Sequence, residues 1–294
     1  MMVGTGSSSK HEGKFEKMTN RISEKLSVLA QRSEKALITF ITAGDPDLNT
    51  TKRLALALEG AGADIVELGV PYSDPLADGP VIQQASQRAL KGGTTLGRIF
   101  EAVTDLRKET QIPIILMTYY NPLLRFGLEE AASQARAAGV DGFIVPDLPM
   151  EESEFFNSAL SEKGICLIPL VAPTSGTERI KDIAAGGQGF IYCVSLTGVT
   201  GVRQGIPGNL KEFMGLVREC TDKPLAVGFG VSTPEQVAEI SLYCDAVIVG
   251  SALVKTISEK GNSADLIDAV IKMARELKEP LRQTGFDKVS VSGR

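Results

Sequence analysis

Residues 64–83 read Asp-Ile-Val-Glu-Leu-Gly-Val-Pro-Tyr-Ser-Asp-Pro-Leu-Ala-Asp-Gly-Pro-Val-Ile-Gln, and they hold one complete structural unit. The short apolar run at 65–68 predicts a buried strand. Pro71, Pro75, Gly79 and Pro80 then stop both helix and strand, because proline fixes φ and lacks an N–H. A helix is predicted over 81–91. One residue breaks the apolar logic: Glu67 puts a carboxylate where the strand calls for an aliphatic side chain, and burying an ionised carboxylate costs far too much for packing filler. The loop adds two more acids, Asp74 and Asp78. Glu67 and Asp78 therefore mark a chemical centre. The plainer readings are a Glu67 satisfied by backbone or a lysine, and an Asp78 that only forms a turn before Gly79-Pro80.

Outward from this unit the pattern repeats. Strands are predicted at 36–43, 112–117, 142–145, 165–170, 189–194, 225–227 and 246–249, separated by helical stretches. The helix after Ser232 opens with Thr233 as cap and Pro234 in its first turn. A helix over 19–33, capped by Thr19 or Asn20, precedes the first strand as a plug. Two helices, 81–91 and 95–110, follow the second strand, and a last one spans 264–278. Eight strand–helix repeats predict an α/β fold of the (β/α)8 TIM barrel type, with an extra N-terminal helix and extra helices after strand 2 and at the C-terminus. A doubly wound open sheet is the competitor, but Gly44-Asp45-Pro46 stands after the first strand where a G-x-G-x-x-G fingerprint belongs. The expected organisation is a flexible lead-in at 1–18, a single barrel domain at 19–283 and a flexible tail at 284–294, with fraying beyond Pro280.

Composition narrows the chemistry. At 294 residues with 43% apolar content, a net charge of −5 and a mean hydropathy of +0.05, the chain buries a large core and has no basic stripe for nucleic acid. No apolar run has the length of a membrane span. The expected setting is soluble and intracellular, in the cytoplasm or, in a photosynthetic eukaryote, the plastid stroma. The four cysteines, Cys166, Cys193, Cys220 and Cys244, form no C-x-x-C pair, so neither a zinc site nor a disulfide framework is suggested. The one histidine, His11, lies in the lead-in. Triads and His-ligated metals lack their central residue, so carboxylates, Lys, Tyr or Cys must carry acid–base work.

In a barrel the strand ends share one mouth. Three glycine-bearing segments fall there: Thr197-Gly198-Val199-Thr200-Gly201, Gly228-Phe229-Gly230 and Gly250-Ser251-Ala252. Glycine lets backbone N–H groups approach an oxyanion, and Ser251 sits where a helix starts, so a phosphate site is expected over simple left-handed turns. The long segment 196–208 is expected to be a lid. Tyr192 reads as core or as a flank for a flat substrate. Asp147 reads as a turn residue or a site residue, and Asn121 as a turn or interface residue.

These strings together resemble one known family. Val-Glu-Leu-Gly followed by Pro-Tyr-Ser-Asp-Pro-Leu-Ala-Asp-Gly-Pro, then Thr-Gly-Val-Thr-Gly, Val-Gly-Phe-Gly and Val-Gly-Ser-Ala, is similar to the tryptophan synthase alpha subunits over about 37–257. The resemblance implies a barrel that cleaves indole-3-glycerol phosphate to indole and glyceraldehyde 3-phosphate with no metal or organic cofactor. It implies Glu67 as the acid–base residue, Asp78 as the second catalytic carboxylate and Tyr192 beside the ring. It implies Gly201, Gly230, Gly250 and Ser251 around the phosphate, with Phe40, Thr200 and Gly228 in the indole pocket and lid. Pro71, Asp74, Pro75 and Asn121 fall on the face that binds a beta subunit in an alpha2beta2 complex. Tyr72, where bacterial relatives often have Phe, and Leu196-Thr197 in the lid depart from that pattern. Two alternatives stay open: a free-standing lyase that releases indole, and a catalytically silent partner that only activates the beta subunit.

Overall fold

The computed structural model describes residues 20–194, 209–228 and 230–282. Among these residues nine parallel strand segments are present: β1 Ala36–Thr42, β2 Ile65–Gly69, β3 Ile114–Met117, β4 Gly142–Ile144, β5 Cys166–Leu167, β6 Leu170–Val171, β7 Ile191–Val194, β8 Leu225–Gly228 and β9 Ala246–Val249. Their order is β5-β4-β3-β2-β1-β9-β8-β7-β6. The two ends of this order, β5 and β6, are joined by only Ile168 and Pro169, so the sheet closes on itself as a TIM barrel. The strand expected over 165–170 is thus one strand in two pieces. Pro169 has no N–H to give a ladder and splits it, while its carbonyl still accepts from Tyr192 N at 2.9 Å.

Strand alternation sorts the side chains into two cores. Ile38, Ile65, Ile115, Ile144, Ile168, Phe190 and Ile248 pack inside the barrel, whereas Leu37, Ile41, Val66, Leu68, Ile114 and Val247 pack outward against the helices. Along β2 this alternation aims Ile65, Glu67 and Gly69 inward.

The expected plug helix is Arg21–Gln31, capped by the Asn20 side chain on Ile22 N. Its Ile22, Leu26 and Leu29 join the inner core. The Asn20 Nδ2 also donates to the carbonyls of Asp141 and Gly164, at 2.9 and 2.7 Å, which fixes the plug under the strand starts. Helices Pro80–Lys91 and Leu96–Leu106 both follow β2, and Ser251–Lys260 and Leu266–Lys278 close the chain. The capping box at Thr233 and Gln236 is formed. Two helices escape the sequence reading: Leu210–Cys220, and the short Tyr120–Phe126, which holds Asn121 within a helix instead of a plain turn. The chain past Pro280 does not begin to fray at once, because Leu281 is fully buried and its carbonyl accepts from Lys35 N at 2.9 Å.

The N-terminal rim repeats one device. Asp64, Asp141 and Asp245, each just ahead of β2, β4 or β9, accept from a backbone N–H of the neighbouring strand, Leu37, Ile114 and Leu225 respectively, at 2.8 Å each. Each also meets cations: Lys278 on Asp64, Arg107 and Arg21 on Asp141, Arg218 and Lys35 on Asp245. The Lys278 ammonium is buried, 2.7 Å from Asp64 Oδ2 and 2.9 Å from the Lys35 carbonyl. Replacing Lys278 by Ala leaves Asp64 buried and short of a cation. We expect a loss of about 3–5 kcal/mol of stability, read as a lower urea midpoint.

Candidate active site

Glu67 lies at the inward-facing position of β2 opposite Phe40 of β1, and it is 1% exposed. Among the described residues neither of its carboxyl oxygens has a hydrogen-bond partner. Burial first, and the charge of Asp78 second, push its pKa up to about 8, so at neutral pH it is mainly a neutral acid.

Asp78 is placed by the loop that follows β2. A turn with Asp78 N on the Pro75 carbonyl at 3.1 Å leads into Gly79, the N-cap, and Pro80 at the start of helix Pro80–Lys91. Gln83 Nε2 of that helix donates to the Asp78 carbonyl at 2.8 Å. The Tyr119 hydroxyl accepts from Ala77 N at 2.8 Å and hydrogen-bonds the Asp78 carboxylate. Burial raises the Asp78 pKa to about 6 while the Tyr119 bond pulls it back, so at neutral pH it is mainly ionised. Two carboxyl groups at one mouth thus hold opposite protonation states because one is wholly dry and the other is tied to a hydroxyl. Tyr119 was missed by the sequence reading. A tyrosine at the end of β3 gives no sign that its ring turns back over the loop of β2.

Tyr192 on β7 is half-buried, and burial followed by the charges of Glu67 and Asp78 raises its hydroxyl well above the ordinary value, keeping it protonated. An added Cβ at Gly228 on β8 would lie 2.5 Å from that hydroxyl, so Gly228 gives Tyr192 its room. Phe40 is held in the same way. A Cβ on Gly69 would sit 2.5 Å from its ring tip, and one on Gly250 would sit 3.2 Å from its Cβ. Phe40, Thr42, Gly69, Val70, Asp78, Ile82, Ser86, Met117, Thr118 and Tyr119 line a small cleft that opens to solvent. Among the described residues its lining mixes apolar and polar side chains, with Asp78 the charged one.

Gly230 has a left-handed φ of +52°, a conformation glycine takes freely. Gly250 is the N-cap of helix Ser251–Lys260, so Ser251 stands in the first turn, where free backbone N–H groups favour an anion. Gly201 and Thr200, with the whole expected lid at 196–208, lie outside the described residues. Among the described residues no group of three His, Cys, Asp or Glu is placed to hold a metal.

Beside the mouth, Arg88 ties helix Pro80–Lys91 to the loop after β1 through two bonds of 2.8 Å to the buried Asp45. Pro71 is buried, Asp74 is exposed and Pro75 is half-buried. Asn121 Nδ2 donates to the Tyr72 hydroxyl at 3.1 Å, which joins the loop of β2 to the helix after β3. Asp147 accepts from Tyr120 N at 2.8 Å, which ties the loop after β4 to the first turn of that helix. The joined surface carries Leu76, 93% exposed, and Leu124, 52% exposed.

A closed parallel barrel with two carboxyl groups, Glu67 and Asp78, gathered toward the C-terminal ends of its strands is the frame of a TIM-barrel protein. The chain belongs to the tryptophan synthase alpha chain family, whose model matches residues 26–282. It is 50% identical over 260 residues to the tryptophan synthase alpha chain of Citrifermentans bemidjiense, covering 88% of this chain and 97% of that one. The alpha chain of a Thermoanaerobacter species is 48% identical over 262 residues, with 89% of this chain and all of that one covered. The crystal structure of the tryptophan synthase alpha chain of Legionella pneumophila superposes with a TM-score of 0.84 at 36% identity, over 91% of this chain and 99% of that one. Its place is that of a subunit in tryptophan biosynthesis. No helix among the described residues is long and apolar enough to cross a membrane.

The raised Glu67 pKa links to stability. The folded chain holds this proton up to about 8 and the unfolded chain releases it near 4.5, so the proton's stabilising contribution is complete below the lower value and lost as pH rises to the upper. Asp78 does the same between 3.8 and about 6. Glu67→Gln removes the larger loss. Between about pH 5 and about pH 8 the wild type should lose a few kcal/mol that the Gln variant keeps, measured as diverging urea midpoints.

Proposed function

We propose that this chain cleaves indole-3-glycerol phosphate by a retro-aldol reaction to indole and glyceraldehyde 3-phosphate, and that it passes the indole to a beta subunit in an alpha2beta2 complex. As a lyase of a biosynthetic route shared with bacterial relatives, its expected compartment is the cytoplasm. The observation that carries this reading is the pair of carboxyl groups at one barrel mouth, Glu67 mainly protonated and Asp78 mainly ionised near neutral pH.

In this reading the indole ring enters the slot walled by Phe40, Ile82 and Met117, and the phosphate lies toward Gly230, Gly250 and Ser251. Neutral Glu67 gives its proton to ring carbon C3, which makes the ring a leaving group. The ring N–H then carries positive charge, and Asp78 holds it as an ionised acceptor. The Glu67 carboxylate next takes the proton of the side-chain hydroxyl adjacent to the ring. The C–C bond breaks, its electron pair returns to the ring, and the former hydroxyl carbon becomes the aldehyde. Glu67 ends as it began, protonated, so the cycle closes without a cofactor. Tyr192, kept as a neutral hydroxyl, orients the ring from β7. The partner reading draws on the exposed Leu76 and Leu124 and on the Tyr72–Asn121 bond, with Asp74 and Asn121 exposed, Pro75 half-buried and Pro71 buried behind them.

Two experiments test this. Indole release from indole-3-glycerol phosphate by the purified chain should be slow alone and rise strongly when a tryptophan synthase beta subunit is added. Fast release alone indicates a self-sufficient lyase, and no release in either case removes the assignment. The pH profile of kcat/KM should be a bell, rising as Asp78 ionises near 6 and falling as Glu67 loses its proton near 8. Asp78→Asn should cost about 100-fold or more in rate and remove the acid limb. A wild-type profile flat across this range would sink the two roles.

A further inference from the structure

Among the described residues, four buried side-chain atoms lack any hydrogen-bond partner: Thr42 Oγ1, the two carboxyl oxygens of Glu67, and Asn157 Oδ1. Three of the four stand on adjacent strands at the barrel mouth, where Phe40 pairs with Glu67 and Thr42 with Gly69. The reaction accounts for the Glu67 oxygens. It leaves Thr42 without a role.

Other buried threonines do not share this state. Thr51 donates to the Asp47 carbonyl at 2.9 Å and Thr118 to the Tyr119 carbonyl at 3.2 Å. Thr42 is only 3% exposed, and no protein group among the described residues satisfies its hydroxyl. A desolvated hydroxyl with no partner destabilises the fold, and valine would fill the same position without that cost. The side chain follows Phe40 on the inward face of β1 and lines the cleft that Asp78 and Tyr119 also line. Phe40, Val70, Ile82 and Met117 of the lining suit the faces of a flat ring, and its polar members are Thr42, Asp78, Ser86, Thr118 and Tyr119, of which Thr118 already donates to the Tyr119 carbonyl and Tyr119 already bonds Ala77 N. Among the described residues Asp78 is the charged member of the lining, so a bound ring turns its polar edge toward that wall.

We propose that the Thr42 hydroxyl oxygen accepts a hydrogen bond from the ring N–H of the bound bicycle beside Asp78, and so makes the cleft selective for a nitrogen-bearing ring. The inference rests on the indole reading of the site and adds a specificity residue to it.

The test uses the full-length chain, Thr42→Val and Thr42→Ser, with two probes of one shape: indole, and benzofuran, which has oxygen in place of the N–H. Calorimetric titration gives the affinities, cleavage of indole-3-glycerol phosphate gives KM and kcat, and urea unfolding gives stability. Thr42→Val should weaken indole about tenfold, leave benzofuran unchanged and raise KM more than it lowers kcat. Its urea midpoint should equal or exceed that of wild type, and Thr42→Ser should keep the affinity for indole. Unchanged indole affinity in Thr42→Val overturns the contact. So does parallel weakening of both probes with a lower midpoint, which assigns Thr42 to packing. A wild type that binds indole in this Thr42-dependent way yet cleaves nothing refutes the reaction and leaves the contact standing. A wild type that neither binds nor cleaves refutes both.

Discussion

Everything at the mouth of this barrel follows from keeping a carboxyl group dry. Glu67 sits inside a ring of strands with no hydrogen-bond partner among the described residues, and the chain answers the desolvation by holding its proton. That single constraint converts an ordinary glutamate into an acid at neutral pH. It also separates Glu67 from Asp78, whose hydroxyl partner Tyr119 and slight opening to the cleft keep it ionised. A fold that carries such a residue gives up stability there and must recover it elsewhere.

The recovery is visible at the opposite end. Asp64, Asp141 and Asp245 each join a strand to its neighbour and to basic side chains from the helices or the plug. These groups are the mirror image of Glu67: acids at the barrel rim, but every one supplied with an N–H and a cation. Plug residues Ile22, Leu26 and Leu29 fill the space beneath. The unsatisfied acid and the satisfied ones are therefore sorted by end of the barrel.

Much of this was readable before any coordinates. The repeating strands, the plug, the paired helices after β2 and the Thr233 cap are local patterns, and local patterns are what a sequence displays. Glu67 stood out because one charge interrupted an aliphatic run, and Asp78 because it closed a proline-stiffened loop. The misses were mostly contacts between distant parts of the chain. Tyr119 matters because its ring reaches the loop of β2, and the first turn of helix Tyr120–Phe126 is tied to Asp147 from the following unit. Thr42 drew no notice, since a threonine near a strand end looks ordinary until its hydroxyl is found alone. Helix Leu210–Cys220 is a different kind of miss. Its buried Leu210, Phe213, Met214 and Val217 follow helical spacing, but the Gly- and Thr-rich stretch before it masked the start.

The rim aspartates carry one more implication. The ties that close the barrel gather where the strands begin, whereas Glu67 and Asp78 stand further along β2 and in the loop after it. Substitutions at one end should combine nearly independently with those at the other. Such a body can drift in its chemistry, acquiring a different wall for Phe40 or a different loop after β2, while its foundation stays untouched. In that sense the chain is less a single optimised object than a socket with an exchangeable fitting.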